Sequence, residues 1–300
     1  MTSLVSCLLW ALATLPRKLL QTLGKFIGWL NYQLCTRSAK ISQENISLCC
    51  PELLPLEQSH LVRQSLQHTA QTMLETPAVW LGSRSRLESW IVSVSNEALL
   101  TEAIKTGKGV IVLLPHLGNW ELFNVYFARH GSMTALYHPP RQLYLQPIMR
   151  SIRERFGNEL VATNKKGIVR LFRSLEAGGV VTILPDQVPT SGIFSDFFGM
   201  QALTDVLIPR LVSRTGASVV AVTVQRSVDG RFTIVCQEPE PEIYSEEEEL
   251  AVQGMNKTIE RCVRGAPAQY QWEYKRFRQR PLGEKKIYRF NKPEEYHLRR

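Results

Sequence analysis

A histidine and a glutamate follow an apolar run that predicts a buried strand. The run Gly109–Leu114 continues as Pro-His-Leu-Gly-Asn-Trp-Glu, which places His116 and Glu121 five positions apart. On one continuous helix such residues are separated by about 140° and cannot touch. Asn119 is a preferred helix N-cap, so we expect a helix to begin after it. His116 then lies in the preceding loop, and Gly118 allows the loop to fold back tightly.

In this arrangement Glu121, in the first helical turn, accepts the Nδ1–H of His116 and leaves Nε2 as a base. The helix dipole keeps the carboxylate ionised. No serine or cysteine nucleophile lies nearby in the sequence, so the base would activate an external hydroxyl, as acyl transfer to an alcohol requires. The alternative is a histidine bonded to backbone and a helix-start carboxylate without further function. The position directly after an apolar strand favours the dyad.

A second polar pair, Asp186 and Gln187, follows the predicted strand 180–184. Ligands of open α/β sheets bind beyond the carboxyl ends of the strands. We therefore expect this pair to orient a substrate or to brace the loop that carries His116. An ordinary turn, favoured by Pro185, is the alternative.

Apolar strands alternate with helices along most of the chain. This alternation predicts an α/β fold, a mixed and mostly parallel sheet flanked by helices, within one catalytic domain of residues 36–300. The predicted strands are 109–114, 132–137, 159–162, 180–184, 218–225 and 231–236. The predicted helices are a short one capped by Ser42 and stopped by Pro51, then 57–80, 96–106, one from Trp120, 142–156, 167–177, 203–215 and 246–264.

Residues 1–35 predict a membrane-anchoring helix. The apolar stretch 4–15 ends at Pro16, and apolar residues then recur near helical spacing. One apolar dozen is short for crossing a bilayer, while Trp10 and Trp29 are candidate interfacial anchors. We expect either a marginal span or an amphipathic helix in the membrane plane, with packing on the protein's own core as the alternative. The positive-inside bias puts the rest of the chain in the cytoplasm.

The chain of 300 residues carries a net charge of +9, and the excess is concentrated. Five positive charges precede the first acidic residue, Glu44; residues 141–173 hold eight Lys/Arg and two Glu. From Glu273 to the end there are ten Lys/Arg and four Glu. Such clusters indicate a polyanionic partner. No zinc finger, RNA-recognition aromatic pair or basic zipper accompanies them, so we predict no nucleic-acid partner. The six cysteines form no C-x-x-C pair, so they predict neither a zinc site nor a disulfide scaffold. We expect no metal and no cofactor.

Several ordered blocks resemble the bacterial lipid A biosynthesis acyltransferases, the lauroyl and myristoyl transferases of the lysophospholipid acyltransferase superfamily. The likeness covers about residues 5–280 and leaves the tail from Pro281 unassigned. The blocks are His116–Glu121 as the family's H-x4-[D/E] motif, Tyr137–Arg141 as the segment with its substrate-contacting arginine, Gly178–Gln187 as its apolar strand and D-Q pair, Phe197–Gly199 with Thr204, and Gln269–Phe277.

The resemblance implies an enzyme at the bacterial inner membrane, with its catalytic domain facing the cytoplasm. It would move a fatty acyl group from acyl carrier protein to a hydroxyacyl chain of a Kdo-bearing lipid A precursor. His116 and Glu121 would be catalytic. Arg141 and Arg153 are candidates for the acceptor's phosphates, because a guanidinium matches phosphate geometry; a solvated helix face is the alternative for Arg153. The predicted substrate-binding residues are Asn119, Arg141, Arg153, Asp186 and Gln187.

The residues are compatible with other functions too. The same dyad would serve an acyltransferase for another membrane glycolipid, a lysophospholipid or an aminolipid, or a hydrolase that uses water. A basic membrane scaffold without catalysis has no need of the dyad. Acyl-CoA is the competing donor, although the basic clusters favour the strongly acidic acyl carrier protein. The oxyanion would be met by the backbone N–H groups of 119–121 or by an arginine.

Overall fold

The structure is a computed structural model that describes residues 2–137 and 156–290. The helices in this part of the chain are α1 (Thr2–Thr14), α2 (Arg17–Gln33), α3 (Arg37–Cys49), α4 (Pro55–Leu81), α5 (Arg84–Glu88), α6 (Glu97–Lys105), α7 (Leu122–Phe127), α8 (Lys165–Glu176), α9 (Leu207–Thr215) and α10 (Glu248–Gly265). The strands are β1 (Ile91–Ser95), β2 (Val110–Leu113), β3 (Met133–Tyr137), β4 (Glu159–Ala162), β5 (Val180–Ile183), β6 (Ile193–Phe197), β7 (Met200–Thr204), β8 (Ser218–Arg226) and β9 (Phe232–Gln237).

Seven strands form one sheet in the order β1-β9-β8-β2-β5-β3-β4. Neighbouring strands are parallel, except that β8 and β9 are antiparallel. In β2, Ile111 and Leu113 enter one apolar cluster while Val110 and Val112 enter another. Successive strand residues point to opposite faces, so the sheet is buried on both sides. The predicted mixed, mostly parallel sheet flanked by helices is confirmed.

One predicted helix begins later than expected. The sequence predicts a helix over 203–215, but residues 200–204 pair with β6 in an antiparallel hairpin, and α9 starts only at Leu207. Asn256 of α10 stabilises the hairpin by donating to the Asp196 carbonyl at 2.8 Å. Local residue patterns do not indicate such a long-range contact. The predicted helix 142–156 overlaps residues 138–155, which lie outside the described part of the chain.

The N-terminal segment forms two helices that meet at Pro16, and the second packs closely on α4. A Cβ added to Gly24 would lie 2.5 Å from Cα of Gln71, and one added to Gly28 would lie 2.3 Å from Cα of Gln67. The inner face of α2 therefore packs on the protein itself, as the alternative to a membrane-anchoring helix predicted. No helix within the described ranges is both long and apolar enough to cross a membrane.

Candidate active site

His116 lies in the loop after β2, where it is bound twice by one carboxylate. Its Nδ1 lies 2.7 Å from Oδ1 of Asp186, and its backbone N–H donates to Oδ2 at 2.9 Å. The imidazole side chain is 15% exposed, and the carboxylate is 2% exposed. The imidazole is thus fixed at Nδ1 by a buried carboxylate, while part of the ring stays exposed.

The register of two neighbouring strands produces this contact. Leu113, the last residue of β2, pairs with Ile183, the last residue of β5. His116 and Asp186 each lie three residues beyond that pair. Because parallel strands end at the same edge of the sheet, the two loops meet there.

Burial and charge act in opposite directions on Asp186. Burial on its own would raise the pKa of Asp186, but the charge and hydrogen bonds of His116 outweigh it and hold this pKa below its usual value. Burial, together with the carboxylate's charge, raises the pKa of Tyr270 well above its ordinary value. At neutral pH the site therefore holds an ionised aspartate and a neutral tyrosine.

The predicted hydrogen bond between His116 Nδ1 and Glu121 is wrong, because Asp186 occupies that nitrogen. Glu121 lies immediately before α7 and is 8% exposed. Its Oε2 accepts from Nε1 of Trp80 at 3.3 Å. Proximity along the chain favours Glu121 as the partner carboxylate, whereas the pairing of strands brings in Asp186, which lies 70 residues after His116.

Asn119 is not the predicted N-cap of the next helix, which begins at Leu122. Its side chain has no exposed surface and donates to Glu75 of α4 at 2.9 Å. Its backbone N–H donates to the Val224 carbonyl at 3.0 Å. This N–H group, one of the predicted oxyanion donors, is thus engaged in holding the loop.

Gly118 allows the loop to press against β8. Its φ is +65°, and a Cβ there would lie 1.8 Å from the carbonyl oxygen of Val224. Its N–H donates to the Gln269 carbonyl at 2.9 Å. Only glycine fits this combination of left-handed backbone and close approach, as the sequence predicted for the turn.

Side-chain amides approach the other ring nitrogen. Nε2 of Gln187 lies 3.4 Å from Nε2 of His116 and donates to Oε1 of Gln271 at 3.3 Å. Glu273, two residues after Gln271, accepts from the Thr69 hydroxyl at 3.1 Å, and burial raises its pKa. In the neutral form of the imidazole, an Nδ1–H that donates to Asp186 leaves the lone pair on Nε2, where an amide N–H can donate to it.

The structure brings four of the predicted site residues to one region, in different roles: His116, Asp186 and Gln187 around the imidazole, and Asn119 beneath the loop. Arg141 and Arg153 lie outside the described residues. Sequence reasoning assigned no role to Gln271 and Glu273, although their block, 269–277, is part of the resemblance. The feature of the sequence that could have indicated these two residues is the alternation of polar and aromatic residues in this block.

Comparison with known proteins bears on this site. The sequence model of a family described as bacterial lipid A biosynthesis acyltransferase matches residues 1–279. The chain belongs to this family. It is accordingly an acyltransferase, and the resemblance read from the sequence is confirmed.

Relatives of known activity are similar over nearly their whole length. A lipid A biosynthesis palmitoleoyltransferase of Escherichia coli (strain K12) is 28% identical over 284 residues, covering 93% of this chain and 92% of the relative. A lauroyltransferase of the same organism is 26% identical over 279 residues, covering 92% and 90%. A myristoyltransferase is 26% identical over 275 residues, covering 90% and 83%. These relatives differ in the acyl group that their names give.

Proposed function

We propose that this acyltransferase moves a fatty acyl group from acyl carrier protein to a hydroxyacyl chain of a Kdo-bearing lipid A precursor, with His116 as general base. The observation that carries the proposal is the 2.7 Å contact between His116 Nδ1 and a buried, ionised Asp186. In the neutral imidazole this contact leaves Nε2 without a proton and able to accept one. Family membership supports the acceptor and the reaction type.

The reaction follows from the two nitrogens of His116. Nε2 takes the proton of the acceptor hydroxyl as its oxygen attacks the thioester carbonyl carbon. Asp186 stabilises the imidazolium that forms. When the tetrahedral intermediate collapses, the C–S bond breaks and the imidazolium returns the proton to the departing sulfur. No covalent enzyme intermediate is needed.

The other predicted residues take roles around this centre. Gln187, beside Nε2, contacts the acceptor hydroxyl in the proposed complex. Glu121 keeps its proposed place as a catalytic carboxylate at the start of α7, without the bond to Nδ1. Arg141 and Arg153 remain proposed ligands of the acceptor's phosphates.

We further propose that α2 lies in the plane of the bacterial inner membrane, at its cytoplasmic face. Leu20 and Gln21 face inward, whereas Leu23, Phe26 and Ile27 are 39%, 57% and 40% exposed. An exposed apolar stripe beside lysines is typical of helices that bind anionic lipid surfaces. The boundary between an anchor of residues 1–35 and a catalytic domain of residues 36–300 stays a prediction.

The test is transfer with defined substrates, read by mass spectrometry. Purified protein, acyl carrier proteins loaded with single fatty acids and a Kdo-bearing lipid A precursor should yield a product heavier by one acyl chain. His116→Ala should be folded and give no product above background. Substantial transfer by folded His116→Ala would exclude the general base. Acylation of a lysophospholipid or another glycolipid in place of the precursor would overturn the acceptor, and acceptor-independent release of fatty acid would indicate a hydrolase.

A further inference from the structure

A buried ion pair lies beneath the loop that carries His116. Arg226, the last residue of β8, donates from Nη2 to Oε2 of Glu75 at 2.6 Å and from Nε to Oε1 at 3.3 Å. The two side chains are 3% and 0% exposed. A buried pair is often no more stabilising than well-packed apolar side chains of similar size. Stability alone therefore does not account for it.

Each carboxylate oxygen of Glu75 also accepts from a second side chain. Oε2 accepts from Nδ2 of Asn119 at 2.9 Å, and Oε1 accepts from Nε2 of Gln21 at 2.7 Å. Asn119 is three residues after His116, and Gln21 belongs to the inner face of α2. One oxygen therefore serves the catalytic loop, and the other serves the N-terminal helix.

Through Thr72 of α4, the guanidinium of Arg226 is also linked to a second residue of the loop, Gly118. Nη2 donates to Oγ1 of Thr72 at 3.1 Å, and the Thr72 hydroxyl donates to the carbonyl oxygen of Gly118 at 3.0 Å. Nη1 lies 2.8 Å from Nδ1 of His68. Burial and the positive charge of Arg226 lower the pKa of His68 to about 3, so this imidazole is neutral and accepts at Nδ1.

We infer that Glu75 and Arg226 are positioning residues for His116. The pair holds Asn119 through Glu75 and Gly118 through Thr72, both on α4. Backbone bonds from Asn119 to Val224 of β8 and from Gly118 to Gln269 also hold the loop. Both restraints are needed to fix the direction of the imidazole, since a displacement of about 1 Å at a reacting group can cost 10²-fold in rate. This inference rests on the proposed function, in which His116 is the base.

The decisive variant replaces the pair by apolar side chains of similar size, Glu75→Met with Arg226→Leu. Removing both charges avoids an unpaired buried ion, so the fold should be retained in circular dichroism and thermal unfolding. We expect kcat to fall by at least about tenfold, with KM for both substrates within about twofold. Hydrogen exchange of the backbone N–H groups of residues 116–121 should become faster.

Gln21→Met is the matched control, because it removes a bond to the other oxygen of Glu75. It should lower the unfolding temperature while leaving kcat within about twofold of the unsubstituted protein. A fall in kcat as large as that of the double variant would overturn the inference, since general loss of stability would then explain both. A folded double variant with unchanged kcat, or with unchanged exchange in the loop, would overturn it as well.

Thr72→Val keeps the inference testable if the double variant does not fold. It removes only the hydroxyl that donates to Gly118, so kcat should fall several-fold at unchanged KM and the loop should exchange faster; an unchanged loop and kcat would contradict us. Failure of the proposed function looks different, because the unsubstituted protein would then transfer no acyl group. Hydrogen exchange would still report whether the pair holds the loop.

Discussion

At the scale of single residues, the site depends on a carboxylate that serves two donors of one residue. Asp186 accepts from the ring and from the backbone N–H of His116, one to each oxygen. An asparagine has only one acceptor oxygen, and its amide nitrogen would face one of these N–H groups as a second donor. Replacing Asp186 by asparagine therefore disturbs either the loop that carries His116 or the tautomer of its imidazole.

For Asp186→Asn we expect kcat to fall by about 10²–10⁴, the range typical of lost general-base catalysis. Steady-state rates with acyl carrier protein as donor measure this. Asp196→Asn is the control, because Asp196 is an exposed carboxylate on β6. A rate for Asp186→Asn close to that of the control would mean that Asp186 is not the orienting group.

Acid should weaken the same interaction. The pKa of Asp186 is held below its usual value in the folded protein. Its ionised form therefore contributes stability above the unfolded-state pKa of about 4, and this contribution is lost as pH falls through the lower folded-state pKa. The difference in free energy of unfolding between the unsubstituted protein and Asp186→Asn, measured with urea, should shrink from pH 6 towards pH 3. If this difference did not change with pH, the pKa of Asp186 would not be lowered by folding.

Gly118→Ala should destabilise the protein and reduce transfer. The left-handed backbone costs alanine about 1 kcal/mol, and the Cβ would overlap the Val224 carbonyl. Gly107→Ala is matched to it, since Gly107 has φ +67° and open space around its missing Cβ. Urea unfolding should show a larger loss for Gly118→Ala, and equal losses would mean that the loop moves freely away from β8.

Residue patterns predicted the position of His116 and the bracing of its loop by Asp186, but not the partner of Nδ1. Order along the chain identifies the residues directly after a strand, and both polar loops were found this way. The partner of Nδ1 depends on which strand lies beside β2, which periodicity does not encode. Glu75 and Arg226 likewise resemble ordinary polar positions of a helix and a strand end, because only the packed fold reveals their burial.

At the scale of secondary structure, helix α2 has two distinct faces. Glycines 24 and 28 let its inner face approach α4 closely, and Gln21 enters the buried network. The outer face carries exposed leucine, isoleucine and aromatic side chains. Apolar content and interfacial tryptophans predict an anchor, whereas glycine spacing and a polar inner residue indicate packing on another helix.

Phe26→Glu should weaken binding to vesicles that contain anionic lipid. The substitution puts a charge in the centre of the proposed membrane face. Co-sedimentation should show a several-fold loss, while transfer to a detergent-solubilised acceptor should be retained. Leu282→Glu, at a fully exposed site elsewhere, serves as the control. Equal binding by both variants would argue against α2 as the contacting helix.

The strands were predicted more closely than the hairpin. Continuous apolar runs of β2, β5 and β8 identify central strands, because both faces of a covered parallel sheet are buried. β6 and β7 contain polar residues, and the hairpin is stabilised by contacts with α10. A local pattern cannot register such contacts.

At the scale of the whole molecule, positive charge lies near the carboxyl ends of the parallel strands, the same edge of the sheet that carries the site. Lys165 and Lys166 begin α8 directly after β4 and are exposed. Lys108 precedes β2 and lies at the opposite edge. An acidic donor protein would be attracted to the first edge.

The double substitution Lys165→Glu with Lys166→Glu should raise KM for acyl carrier protein several-fold and reduce its dependence on salt. Lys108→Glu changes the charge at the far edge and should have little effect. Rates measured across a range of salt concentrations check both. Equal effects of the two sets, or salt-independent rates together with equal use of acyl-CoA, would contradict a docking role for α8.

The pairing of β2 with β5 carries a consequence for changes far from any polar group. Strands advance by about 3.3 Å per residue, so sliding β5 past β2 by one position would carry Asp186 out of reach of the imidazole. The apolar side chains of these two strands point alternately to the two covered faces and lock that alignment. The packing of these apolar side chains therefore sets the distance between His116 and Asp186. A single-residue insertion in either strand would separate the base from its partner even when the chain still folds.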